Sequence, residues 1–148
     1  MGRDQPQIWV GRSNAVRIGL TKKENKMKGL ALYFVLAGVV SGLCGMLWGI
    51  QMSISGDHGL SPAHGHLNLL GWVSMTLFGL YYHGVPTAAE SGLARVHLVV
   101  SLAGLILIVP GIAVVLSGGT EMLAKIGSLV IVLGMLIFLG VVLRSRQS

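Results

Sequence analysis

The chain has 148 residues, 53% of them hydrophobic and 11% charged, with 22 glycines and a net charge of +6. Its mean hydropathy of +0.75 excludes a water-soluble domain of this size, and the single cysteine excludes a disulfide framework or a thiolate metal cluster. The basic excess carries no interleaved aromatic residues, so it points to membrane topology and anionic lipid, with no nucleic acid as partner.

Residues 1–28 form a basic arm with Arg3, Arg12, Arg17, Lys22, Lys23, Lys26 and Lys28. This is too long and too charged for the n-region of a signal peptide, so the first apolar stretch is expected to stay in the mature protein. Met1-Gly2 is followed by Pro6 where myristoylation asks for Ser or Thr. The arm is expected to be loosely ordered, with Ile8, Trp9, Val10 and Ile18 able to touch the interface.

Four charge-free gaps follow, between Lys28 and Asp57, Asp57 and Glu90, Arg95 and Glu121, and Lys125 and Arg144. Each holds a spanning helix, which needs ~20 apolar residues for a hydrocarbon core ~30 Å thick. The expected helices cover about 29–52, 61–84, 93–116 and 122–143. The fold class is therefore an all-α, polytopic membrane four-helix bundle, one domain over 29–148. Short loops make neighbours antiparallel. Most Lys and Arg precede the first helix, Arg95 sits in the second loop, and Arg144 and Arg146 follow the fourth helix. Both termini are expected in the cytoplasm, with Asp57, His58 and Glu121 outside.

The first helix sets Gly38, Gly42, Gly45 and Gly49 on one face, where a second helix can approach closely. Ser101, Gly104 and Gly111 repeat the pattern in the third helix, and Gly127 and Gly134 in the fourth. These faces suit packing within the chain or between protomers. Cys44 is read as a buried packing residue, and Pro110 is expected to kink the third helix or open a carbonyl there.

Histidines are the chemical signal, since an ionisable group within an apolar span marks a functional site by default. His64 and His66 open the second helix near the outer surface. Two positions apart, they point ~200° from each other and cannot chelate one ion together. The His66 stripe continues through Leu70, Val73, Leu77 and Leu80, and that of His64 through Asn68, Gly71, Met75 and Phe78 or Gly79. A flat apolar cofactor with axial imidazole suits such faces better than zinc, which wants three or four converging ligands. Asn68, one turn from His64, suits either orienting that imidazole or an interhelical hydrogen bond, and Trp72 and Trp48 either packing on a macrocycle or anchoring at the interface. His83 lies ~25 Å deeper than His66 at ~1.5 Å rise per residue, and His97 shares that side; both are expected to snorkel to the aqueous boundary.

His66-Leu-Asn-Leu-Leu-Gly-Trp72, with Phe78-Gly79-Leu80-Tyr81-Tyr82 and Val85-Pro86, resembles the second transmembrane helix of nitric oxide reductase catalytic subunits, in the haem-copper oxidase superfamily. The resemblance covers about 25 residues and implies that His66 ligates a low-spin haem b. Ala63-His64-Gly65-His66 is similar to the His-x-His pair of the tenth helix of oxidase subunit I, whose histidines face opposite ways toward two haems. That subunit is built as three arcs of four helices, and this chain is one arc long. The resemblance thus implies a homotrimer with haem between protomers, in a bacterial inner membrane, together with a redox partner protein. The chain offers no three-histidine copper site and no counterpart of the cross-linked tyrosine. It is expected to serve electron transfer or haem handling, with no catalytic residue assigned, rather than to be a complete oxidase or reductase. His64 and His66 are the expected metal ligands, with Asn68 and Trp72 beside the cofactor. The alternatives are a non-catalytic subunit of a larger respiratory complex, in which both histidines bond backbone carbonyls, and an outward copper or zinc site from His58, His64 and Met52.

Overall fold

The structure, a computed structural model, describes residues 26–146. Of the basic arm expected over 1–28, residues 1–25 lie outside the described residues, as do the last two of the chain. The described chain is all-helical. Helix α1 (Gly29–Ser55) begins at Gly29 (φ 59°) and ends at Gly56 (φ 68°), a left-handed cap that only glycine adopts without strain. A tight connection follows: the Asp57 carboxylate accepts from the Gly59 amide at 2.9 Å, and Ser61 Oγ donates to the His58 carbonyl at 2.7 Å. Pro62 sits in the first turn of α2 (Ser61–His66), where its missing N–H costs nothing.

The second helix changes character partway. After α2, Leu67–Ser74 runs as a π-helix and then returns to α3 (Met75–Gly84) without an intervening loop. Pro86 disfavours helix at Val85, so α3 stops there, and the short α4 (Pro86–Ala89) leads to Ser91. The Ser91 hydroxyl caps α5 (Gly92–Leu116) by accepting from the Ala94 amide at 3.1 Å. Helix α5 passes through Pro110 unbroken, and α6 (Met122–Ser145) completes the fold. The observed ends fall within three residues of those expected from the charge gaps.

Helices α1, α5 and α6, of 27, 25 and 24 residues, are each long and apolar enough to cross a membrane. Their outward side chains are those lipid would meet, among them Leu36, Val40, Leu47, Leu129 and Leu136. The protein is therefore a helical membrane protein.

Glycine decides which faces meet. Helix α1 lies antiparallel to the α2–π–α3 run, with Gly38 against Thr76, Gly42 against Trp72, Gly45 against Asn68 and Gly49 against His64. A methyl group at Gly42 would lie 2.9 Å from Trp72 Cγ, so the indole occupies the space that glycine leaves. The α5–α6 hairpin uses the same device: a methyl at Gly111 would meet the Ala124 amide nitrogen at 2.6 Å, and one at Gly127 the Ile108 amide nitrogen at 2.7 Å. Gly71 joins the hairpins, lying against Ser41 of α1 and Leu105 of α5. The small-residue faces, equally suited by sequence to contacts between protomers, are used within the chain.

Two local expectations are corrected. Cys44 is exposed on α1, because the glycine face points the other way and carries the contacts. His97 does not snorkel; it is fully buried.

Candidate functional site

His64 and His66 leave α2 on different sides, as a spacing of two in a helix dictates. His64 turns toward α1. Its Nε2 donates to the Gly45 carbonyl at 3.0 Å, and its ring meets the Trp48 indole edge-on at 6.1 Å. A carbonyl only accepts, so Nε2 carries the proton. Asn68 Nδ2 donates to the backbone carbonyl of His64 at 2.9 Å while its amide rests on Gly45. Asn68 thus bonds the main chain of His64, not its imidazole, and packs against the neighbouring helix. Trp72 lies on Gly42, committed to the same helix contact.

The face that touches α1 therefore runs His64, Asn68, Trp72, Thr76, at intervals of four. Of the stripe expected from sequence, Asn68 lies on this face, and Gly71 and Gly79 also meet α1, at Ser41 and Val35; the π segment brings Trp72 and Thr76 to the same seam. Hydrogen bonds closing from i to i+5 widen each turn beyond 3.6 residues, so a spacing of four keeps to one face. Ser74 Oγ reinforces the wide turn by donating to the Leu69 carbonyl at 2.8 Å. Sequence periodicity carried no sign of this insertion.

His66 points away from α1 and is exposed. Its Nδ1 donates to the Pro62 carbonyl at 2.8 Å. In the neutral ring this fixes the tautomer and leaves Nε2 as a bare lone pair, the arrangement in which histidine ligates metals. His66 lies on a groove of about 620 Å³ between the second helix, α5 and α6, walled by Leu69, Leu70, Ile108, Ile131 and Val132, with Ser128 at its edge. Of the His66 stripe expected from sequence, Leu70 lines this groove, whereas Val73, Leu77 and Leu80 face outward.

The structure therefore separates the four expected site residues. His66 stands on the open groove, and His64, Asn68 and Trp72 belong to the packed seam with α1. Of the residues of the alternative copper or zinc site, His58 Nδ1 bonds the Gly56 carbonyl at 3.1 Å, His64 Nε2 is committed to Gly45, and Met52 is buried. Among the described residues, no three His, Cys, Asp or Glu side chains cluster as a metal would require.

No family model, curated protein or solved structure matches the chain.

A second polar centre escaped sequence reasoning. The Tyr82 hydroxyl and His97 Nδ1 share a buried hydrogen bond of 3.0 Å. The imidazole stacks on Phe138 at 5.2 Å and meets Phe78 edge-on at 4.6 Å and Phe34 at 5.1 Å. His97 Nε2 is buried without a hydrogen-bond partner. A signal for this burial existed: His97 precedes Ser101 by four residues, which extends the small-residue stripe of α5 by one turn onto the imidazole.

Proposed function

We propose that the chain binds haem b through His66 and serves electron transfer or haem handling in a bacterial inner membrane. The observation that carries this reading is the His66 imidazole, tied at Nδ1 to Pro62 and presenting Nε2 to an apolar groove of about 620 Å³. One donor nitrogen on an apolar wall suits a macrocycle that brings four equatorial ligands of its own. It does not suit a bare ion that draws all its ligands from protein. Haem would supply one-electron chemistry there, while the chain fixes the imidazole and excludes water with Leu69, Leu70 and Ile131.

Ser61–Gly84, at ~1.5 Å per residue about 36 Å long, then acts as a fourth span, with both termini cytoplasmic. The single arc of helices argues for a homotrimer that closes each groove with a neighbouring chain. A haem held between His66 of one chain and His64 of its neighbour would require that His64 to leave its Gly45 carbonyl. His66 alone is therefore the ligand assigned to this chain, and a redox partner protein approaches the outer end.

The competing reading is a non-catalytic subunit whose groove packs against a larger respiratory complex. One observation favours it: both His64 and His66 bond backbone carbonyls, as that reading expects. The optical spectrum of the purified protein separates the two. Haem gives reduced α and β bands that vanish in His66→Ala, whereas a packing subunit is colourless in both forms.

A further inference from the structure

At the end of the bundle opposite His66, a cleft of about 620 Å³ opens between the start of α1, the end of α3 and the start of α5. Its lining includes Lys28, Arg95 and His83, with Glu90 as the one carboxylate among the described lining residues. Gly29, Leu30 and Ala31 also line it, and these are the first residues of α1. Among the described residues these amides have no side-chain cap and no acidic residue in the first turn, so the positive end of α1 faces the cleft. Below the rim the walls become apolar, and they lead outward past Tyr33 and Val99, 61% and 66% exposed on the surface that meets lipid. The cleft is thus cationic where it meets water and apolar where it meets hydrocarbon.

We propose that this cleft binds an anionic phospholipid, its phosphate held by Lys28, Arg95 and the first amides of α1 and one acyl chain lying along Tyr33 and Val99. A soluble phosphate or nucleotide would use the rim but leave the apolar outlet idle. A zwitterionic lipid would fill the outlet but bring its own cation against Arg95. Only an amphiphile with net negative charge satisfies both halves, and basic recesses between membrane helices hold such headgroups elsewhere. The site lies away from the His66 groove and does not depend on what that groove binds.

The test uses the full chain purified in mild detergent, with phosphatidylglycerol, phosphatidylcholine and inorganic phosphate as probes. Native mass spectrometry and the thermal unfolding midpoint are the readouts. The wild type should retain one phosphatidylglycerol per chain and gain thermal stability from it, with neither effect from phosphatidylcholine or phosphate. Lys28→Ala with Arg95→Ala should weaken retention about 30-fold, each cation near the surface contributing roughly a factor of five. Arg95→Lys should keep most of the binding, and Arg144→Ala, which removes a cation at the same end but outside the cleft, should keep all of it. Equal retention of the two lipids by the wild type would overturn the proposal without any variant. So would equal stabilisation by inorganic phosphate, which would make the ligand a soluble anion, or equal loss in Arg144→Ala, which would reduce the effect to overall charge.

Discussion

His64 Nε2 lies 3.0 Å from the carbonyl oxygen of Gly45, a hydrogen bond between residues nineteen apart in sequence that fastens α2 to α1. The bond exists because Gly45 and Gly49 have no side chains to hold the second helix away. It lets an ionisable residue stand in an apolar seam: a neutral imidazole with a backbone acceptor is satisfied there.

Filling that seam should loosen it. Gly45→Leu forces a side chain onto the Asn68 amide, and Gly42→Leu forces one onto the Trp72 indole. Each is expected to destabilise the protein by about 1–3 kcal/mol, read as a lower unfolding midpoint in detergent. Gly65→Ala, with nothing within 4 Å of the added methyl, should leave the midpoint unchanged or raise it slightly. If Gly45→Leu melts with the wild type, the two helices do not meet as closely as described.

The two histidines should part company on mutation. His66→Ala is expected to lose haem while its melting in the haem-free state matches that of the haem-free wild type, because its side chain bonds only within its own turn. His64→Ala should keep the haem spectrum but lose about 1–3 kcal/mol of stability, since it orphans the Gly45 carbonyl. Paired spectra and melting curves of both variants check this. Haem lost from His64→Ala and kept by His66→Ala would reverse the assignment.

The Tyr82–His97 pair allows a double-mutant cycle. Tyr82→Phe leaves His97 Nδ1 without its partner in a buried aromatic box and should cost about 1–3 kcal/mol. His97→Leu strands the tyrosine hydroxyl at similar cost. With both changed, no unpaired group remains, so the double variant should be more stable than the sum of the single losses predicts. Strict additivity in thermal unfolding would mean that the hydrogen bond contributes nothing.

Orientation is open to a direct test. A reporter active only in the periplasm, fused after Ser148, should be inactive, and one fused between Gly56 and Gly59 should be active. Activity of the C-terminal fusion would require either three crossings or the opposite orientation. Three crossings would leave Ser61–Gly84 on one side of the membrane.

Charge spacing alone determined where the helices lie, because a membrane span tolerates no unpaired charge and the four gaps leave few other boundaries. Glycine spacing determined which faces are smooth. The spacing of two between His64 and His66 determined that they diverge, a consequence of helical geometry independent of any partner. What a smooth face meets is another matter: Gly38, Gly42, Gly45 and Gly49 suit any close neighbour, and only the tertiary fold gave them Thr76, Trp72, Asn68 and His64. The π segment was equally hidden, because shifting the backbone pairing by one residue over Leu67–Ser74 needs no distinctive side chains and is settled by how the helix seats against α1. His97 shows the limit most plainly. From sequence it stands near a helix end, where snorkelling would keep it wet, but α1, α3 and α6 each bring an aromatic ring to it, as Phe34, Phe78 and Phe138. The spacing of four from Ser101 marks the face on which His97 lies, but the rings that bury it come from side chains far apart in the chain, and no local pattern encodes their arrival.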